Sequence, residues 1–409
     1  MGRKPLAQRL WQLVQSPRVI FVIALAMRLW AASQLLPEKA AQYFYRYNEF
    51  ARIAWALTSG HGYSSPWANT PLLPTAVEPP VYTLLLAGVF KVAGAYSYRS
   101  LGIAIVINAL FSSATAVLIL QIGKRDFSPL VGVLASWTWS CSLYEAVVAI
   151  RLWESSLAAL LLITSIFVLP KLRESSSIVL WVGFGVLAGV ASLTNTTLLA
   201  LFPCFWIWLW IVRRGRSLAN SKLFALSIAT FILVLVPWTV RNYAVFHRLM
   251  PMRDNFGLEL WLGNHEGVGP RFDEDFPILN PTEYKRLGEL RFMEQKRDIA
   301  LQFIRNNPAT FTWLSLRRIF RYWTSPETGF WLPMSLIAWL GAMFAEWDRK
   351  NMATPYLIVL SIFPLVYYAT HTFNTYRHPI EPELLLLAAY ALVRVTQTAM
   401  NRHREDSAI

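Results

Sequence analysis

The chain has 409 residues, is 55% hydrophobic and 14% aromatic, and carries a formal net charge of +14. Only 15% of its residues are charged, against about 25% in soluble domains, and its mean hydropathy is +0.38. With several apolar runs near the roughly 20-residue spanning length, these figures exclude a soluble enzyme and make the fold class an all-α polytopic membrane protein.

The N-terminal stretch "MGRKPLAQRLWQLVQSPRVIFVIALAMRLWAAS" has the basic start, apolar stretch and small-residue end of a signal peptide. Its apolar part merges with Leu29–Leu36, so an uncleaved first span is expected. Candidate spans follow at about 18–36, 101–122, 129–148, 155–170, 177–194, 196–212, 222–240, 330–346, 354–370 and 380–397. The short connectors "GKRDFS", "KLRESSS", "RRGRSLANSK" and "DRKN", and both chain ends, are basic. Lys and Arg resist translocation, so all of these belong on the cytoplasmic side, and the positive net charge needs no nucleic acid to explain it. No basic tract with interleaved stacking aromatics is present. The segment "PPVYTLLLAGVFKVAG", residues 79–94, is short and contains Lys91. Counting it as a span would put three basic connectors on the wrong side, so it reads as an interfacial or re-entrant helix. About ten spans with both ends cytoplasmic result.

This topology divides the chain into an N-terminal transmembrane module, 1–240, with a first outer loop at 37–100. An extracytoplasmic loop at 241–330 and C-terminal spans with a tail at 331–409 complete it. The long loop has a turn-rich first half and a helical second half, running from Asn280 or Thr282 to just before Pro308. "ATFTWLSLRRIFRYW" reads as a basic amphipathic helix on the membrane surface. Cys141 and Cys204 both lie inside apolar runs, so no structural disulfide and no metal-ligand spacing is expected.

The outer loops hold the chemistry-bearing residues. In "YFYRYNEFARIAWALTSGHGYSSPW", Tyr43–Leu57 has helical character and Glu49 and Arg52 share a face, three apart. Glu49 is either a reagent or one half of a surface ion pair. Glu154, in "AIRLWESS", sits where a span begins; it is a dipole-compatible cap or a functional acid near membrane depth. Arg241 and Asn242, in "PWTVRNY", emerge at the membrane surface, where an arginine fork suits phosphate or snorkels beside headgroups. Tyr376, Arg377 and His378 precede the proline that opens the last span, with Glu381 one turn on. Glu78, in "VEPP", leads the interfacial helix, while His61 in "GHGY" reads as a turn residue. Acids suited to deprotonating a hydroxyl, with arginines suited to a leaving phosphate, match transfer from a lipid-phosphate donor.

At these pieces the chain resembles the GT-C superfamily of polytopic membrane glycosyltransferases, the group of the protein O-mannosyltransferases and aminoarabinose transferases. It looks closest to the bacterial mannosyltransferase-like, or rhizobial lipopolysaccharide-transferase-like, members. The resembling pieces are "YNEFARIAWALTSGHGYSSPW", "EPPVYTLLLAGVFKVAG", "RLWESSL", "PWTVRNY", "NFGLELWLGNHE" and "YRHPIEPELLLLAAYAL", in that order. The resemblance implies a polyprenyl-phosphate sugar donor, an envelope acceptor, inversion at the anomeric carbon and a site at the extracytoplasmic face of the bacterial inner membrane. It implies Glu49 as catalytic acid on the first outer loop and Glu154 as the second. Arg241 and Arg377, with His378, would bind the donor phosphate, while Arg52, Glu78, Asn242 and Tyr376 would contact substrate. The chain departs from the family's usual Asp soon after the first span: Tyr43–Tyr47 holds Arg46 and no acid. It also has His378 where an arginine is common. Some relatives use a divalent metal and others do not, so a metal is open, as is the oligomeric state. A transporter or flippase of lipid-linked material, or an inactive binding member of the fold, is the alternative.

Overall fold

The computed structural model describes residues 5–36, 41–42, 45, 48–67, 70–213, 219–268, 281–324, 331–348, 350 and 353–406. Tyr43, Phe44, Arg46, Tyr47 and Asn280 lie outside them. Helices dominate, and among the described residues the only β pairing is an isolated bridge between Ser64 and Pro74. The fold class read from composition is the one observed.

Helices coincide with all ten predicted spans, but not all in one piece. Pro17–Leu35, Tyr98–Phe127, Ser155–Glu174, Ser221–Phe246 and Asn374–Asn401 are long and apolar enough to cross a membrane. The segment at 129–148 splits into Pro129–Cys141 and Leu143–Ala149. Ser142 is extended there, and its hydroxyl accepts from Glu145 N. The segment at 354–370 breaks where Pro364, which has no N–H, caps the short helix Leu365–Ala369. A 3-10 turn at Thr196–Ala200 precedes Leu201–Val212, with the Asn195 side chain accepting from Thr197 N at 3.0 Å. The helix Glu381–Asp406 packs against Trp331–Trp347 and Pro129–Cys141, while Pro17–Leu35 lies on Tyr98–Ile122. Trp139, Trp181, Phe184, Phe202 and Phe205 fill the core. Val22, Ile207, Leu233, Leu336 and Met343 point outward, as lipid-facing side chains must.

Four elements predicted outside the spans are helical. Residues 79–94 form the 14-residue helix Pro80–Ala93, whose Tyr82, Leu86 and Phe90 pack against the helix Glu49–Thr58. The helix carrying Glu49 starts later than the expected Tyr43. Asn48 caps it, accepting from Ala51 N at 3.0 Å, so Glu49 occupies its first turn, favoured by the helix dipole. The helical half of the long loop also differs from expectation: it breaks at Gly288 into Pro281–Leu287 and Glu289–Asn306. Gly288 has φ 72°, a conformation in which glycine carries no penalty. The amphipathic helix Pro308–Thr324 exposes Trp313, Leu316 and Phe320 and buries Leu314, Arg318 and Tyr322.

Candidate active site

Six separate segments close around one cluster of charge, and each joint is a specific hydrogen bond. Asn48 Nδ2 donates to Leu152 O at 3.1 Å, tying the start of the Glu49 helix to the turn that holds Glu154. Asn195 Nδ2 donates to Glu154 Oε1 at 3.0 Å. Next to it, Leu193 O accepts from Val81 N at 3.2 Å, three residues past Glu78. Arg253 then reaches Glu78 Oε2 at 3.5 Å and Glu259 Oε1 at 3.0 Å. Its Nε donates to Asn255 Oδ1 at 2.5 Å, so the fork is held from three sides. His371 Nε2 lies 3.4 Å from Glu259 Oε2 and 3.0 Å from the Tyr376 hydroxyl. The Tyr376 ring stacks on Tyr367, whose hydroxyl meets Thr197 Oγ1 at 3.1 Å. The helix Phe256–Gly263 can come this close to residue 370 because it ends in glycine: a Cβ at Gly263 would sit 1.8 Å from Thr370 O.

The electrostatics are lopsided. Three carboxyls, Glu78, Glu154 and Glu259, share one arginine, and a fourth, Glu49, lies against Glu78. Glu78 is 5% exposed and lies within hydrogen-bonding reach of Glu49. Burial pushes its carboxyl well above the usual range; Arg253 pulls back, and the charges of Glu49 and Glu154 add to the rise. Burial also raises Glu154, against the pull of Arg253 and the Asn195 amide. For Arg253 burial works to lower the value, but Glu78 and Glu259 outweigh it and the cation is firmly held. Burial lowers His371, so its imidazole is neutral near pH 7. Glu49 accepts from Trp67 Nε1 at 2.7 Å, an N–H aimed at one carboxylate oxygen. The arrangement thus sets Glu49 beside Glu78, whose carboxyl burial raises, with Glu154 and a fixed cation close by.

The sequence candidates divide into those brought here and those placed elsewhere. Glu49, Glu78, Glu154 and Tyr376 belong to the cluster. Arg52 lies over the Trp55 ring at 4.5 Å, and the spacing-allowed ion pair with Glu49 is not formed. Arg241 donates to Thr75 O at 2.7 Å, to Tyr63 O at 2.8 Å and to Asn242 Oδ1 at 2.9 Å, and lies against Tyr63, Trp238 and Phe246. Asn242 Nδ2 in turn holds Met250 O and Met252 O. Both residues therefore brace loops rather than face the cluster. Arg377 is 0% exposed, paired with Glu381 and donating to Ser335 Oγ at 2.7 Å. His378 Nδ1 is 2.6 Å from Glu145 Oε2, its ring against Trp139.

Arg253, Glu259, His371, Trp67 and Asn195 were not singled out from the sequence. Glu259 lies in the quoted "NFGLELWLGNHE", and Arg253 two residues before it in "MRDNFG". A buried arginine amid acids leaves no spacing signature; only its neighbours in space identify it. Among the described residues no group of three or more His, Cys, Asp or Glu side chains is set to share a metal ion.

Residues 77–240 match the family model described as dolichyl-phosphate-mannose-protein mannosyltransferase. That stretch carries Glu78, Glu154 and Asn195 and is less than half of the chain. Among solved structures, the chain is similar over 95% of its length to ArnT from Cupriavidus metallidurans bound to undecaprenyl phosphate, with TM-score 0.50 and 15% identity. The same ArnT in the apo state gives TM-score 0.49 and 14% identity over 93% of this chain. The chain spans 61% of the length of either. No curated protein matches it by sequence.

Proposed function

We propose that this chain, which has the fold of the GT-C membrane glycosyltransferases, moves a sugar from a polyprenyl-phosphate donor to a hydroxyl of an envelope acceptor. The carrying observation is the convergence of Glu78, Glu154 and Glu259 on Arg253, with Glu49 against Glu78. In this reading Glu49 takes the proton of the acceptor hydroxyl. The hydroxyl oxygen bonds to the anomeric carbon while the bond from that carbon to the phosphate oxygen breaks. The electron pair leaves on the lipid phosphate, and attack from the opposite face inverts the centre. Arg253, rather than Arg241 or Arg377, meets the developing phosphate charge, because it lies among the acids of the cluster while the other two bond to Thr75, Tyr63, Ser335 and Glu381 away from it. Glu154 positions the acceptor or sugar, held by Asn195.

Burial raises the Glu78 and Glu154 carboxyls, which eases the approach of a lipid phosphate to Arg253. The ArnT structure of similar fold holds undecaprenyl phosphate, which favours a lipid-phosphate donor over a nucleotide sugar. In this reading the basic connectors stay on the cytoplasmic side, which favours the extracytoplasmic face for the cluster. A transporter reading has less support, since the cluster sits at helix ends rather than at mid-span.

The test is transfer from polyprenyl-phosphate sugars by purified protein in nanodiscs. Wild type should transfer, and Arg253→Ala should lose about a hundredfold in kcat/KM with a raised donor KM. Full activity in both Glu49→Gln and Glu154→Gln would overturn the assignment.

A further inference from the structure

Glu289 belongs to no part of the site just described, yet it lies buried at the start of the helix Glu289–Asn306, 213 residues in sequence from its main partner. Its Oε1 accepts from Ala76 N at 2.6 Å, and its Oε2 accepts from the Tyr284 hydroxyl at 3.0 Å. The Thr75 hydroxyl also bonds to it. On the other side of the same residue, Ala76 O accepts from Asp254 N at 2.9 Å. Ala76 is two residues from Glu78 and Asp254 is next to Arg253. The backbone joint that Glu289 caps therefore sets the register between the segment carrying Glu78 and the segment carrying Arg253. The groups facing Glu289 are Tyr284, Tyr63, Asp254 and Arg241. Of these, Arg241 fixes the adjoining Thr75 O and Tyr63 O.

We infer that Glu289 is a positioning residue, through which the helix of the long loop holds Glu78 against Arg253. The inference rests on the proposed transferase reading for its activity readout, but its geometry stands apart from it. An isolated segment 75–78 has no helix or sheet to order it, so its place depends on these side-chain and backbone bonds. Loss of the side-chain oxygens frees Ala76 N–H in a buried setting and lets the segment shift, and displacements near 1 Å in a reacting constellation cost about a hundredfold.

The experiment compares Glu289→Ala and Glu289→Gln with wild type, full-length in nanodiscs, by two readouts. Glu289→Ala should lower kcat about ten- to hundredfold and move a limb of the pH–rate profile upward, because Glu78 loses the cation that holds its proton affinity down. Glu289→Gln, whose amide oxygen still accepts from Ala76 N, should recover part of both. Hydrogen exchange should show faster exchange at residues 75–81 in Glu289→Ala, with the helix Tyr98–Ile122 unchanged. An unchanged pH limb together with unchanged exchange at 75–81 would overturn the inference. If wild type transfers no sugar, the transferase reading falls, and exchange alone decides the role of Glu289. Uniform loss of exchange protection across the bundle would also overturn it, since Glu289 would then be a general fold determinant.

Discussion

Two groups of charge among the described residues are built on opposite principles. In the interior, Arg377 pairs with Glu381 and bonds Ser335 Oγ, His378 meets Glu145, and Arg28 donates to Ser112 Oγ, Trp139 O and Ser140 O. Each of these cations has its own acid or set of protein oxygens. At the loop end, Glu78, Glu154 and Glu259 share Arg253, and Glu78 lies against another acid, Glu49. A balanced interior network spends its charges on holding helices together. An unbalanced one leaves field directed at whatever enters, which is the condition for binding and chemistry.

The sharpest way to break this comparison is to remove a charge from each side. Glu49→Gln should lower kcat by about 10²–10⁴-fold, the usual worth of a general base, while thermal stability in detergent stays within about 1 kcal/mol of wild type. A variant that loses stability but keeps kcat would move Glu49 to the structural side. Arg377→Ala should do the converse and destabilise by about 3–5 kcal/mol, because Glu381 is left buried and alone. Replacing the pair together, Arg377→Met with Glu381→Leu, should restore most of that stability, as read by unfolding in detergent. Failure of the double replacement would give the pair a role beyond holding helices.

A pH experiment sharpens the boundary between the two groups. Burial raises Glu289 from its ordinary value near 4.5 to about 7, against the donors of Thr75, Ala76 and Tyr284. The folded segment therefore favours the protonated acid: its stability is full below pH 4.5 and falls as pH rises through about 7. The loss amounts to about 3 kcal/mol, at about 1.4 kcal/mol per unit. Hydrogen exchange at residues 75–78, corrected for intrinsic rates, should show this slope in wild type and none in Glu289→Gln. The smallest effect is expected at Trp67→Phe, which removes the N–H aimed at Glu49 Oε1. A loss of about 1 kcal/mol, roughly fivefold in kcat, is the scale of one such bond, and no change would make that bond incidental.

How much of the site was legible depended on where each residue stands. Glu49, Glu78 and Glu154 stood out because an acid beside an apolar run is costly there and catches the eye. Arg241 and Arg377 stood out for the same reason, yet their forks close on Thr75, Tyr63, Ser335 and Glu381. Local sequence shows that an arginine is near the membrane but not which oxygen it meets. Arg253 was missed because it sits in a polar loop where an arginine is unremarkable, and only Glu78, 175 residues away in sequence, makes it a site residue. The break at Ser142 escaped notice because both flanking segments are apolar and only the backbone turns.

Alone, the sequence determined the class of the molecule: apolar density sets helices, a property of short stretches of chain. The cap at Asn48 and the break at Pro364 are local too, one acting through its side-chain oxygen and the other through its missing N–H, although neither was placed from the sequence. Tertiary structure decided which charges are balanced. A buried ion's partner is chosen by whatever packing brings within a few ångströms, and here those partners come from segments as far apart as Glu49, Glu154, Arg253 and His371.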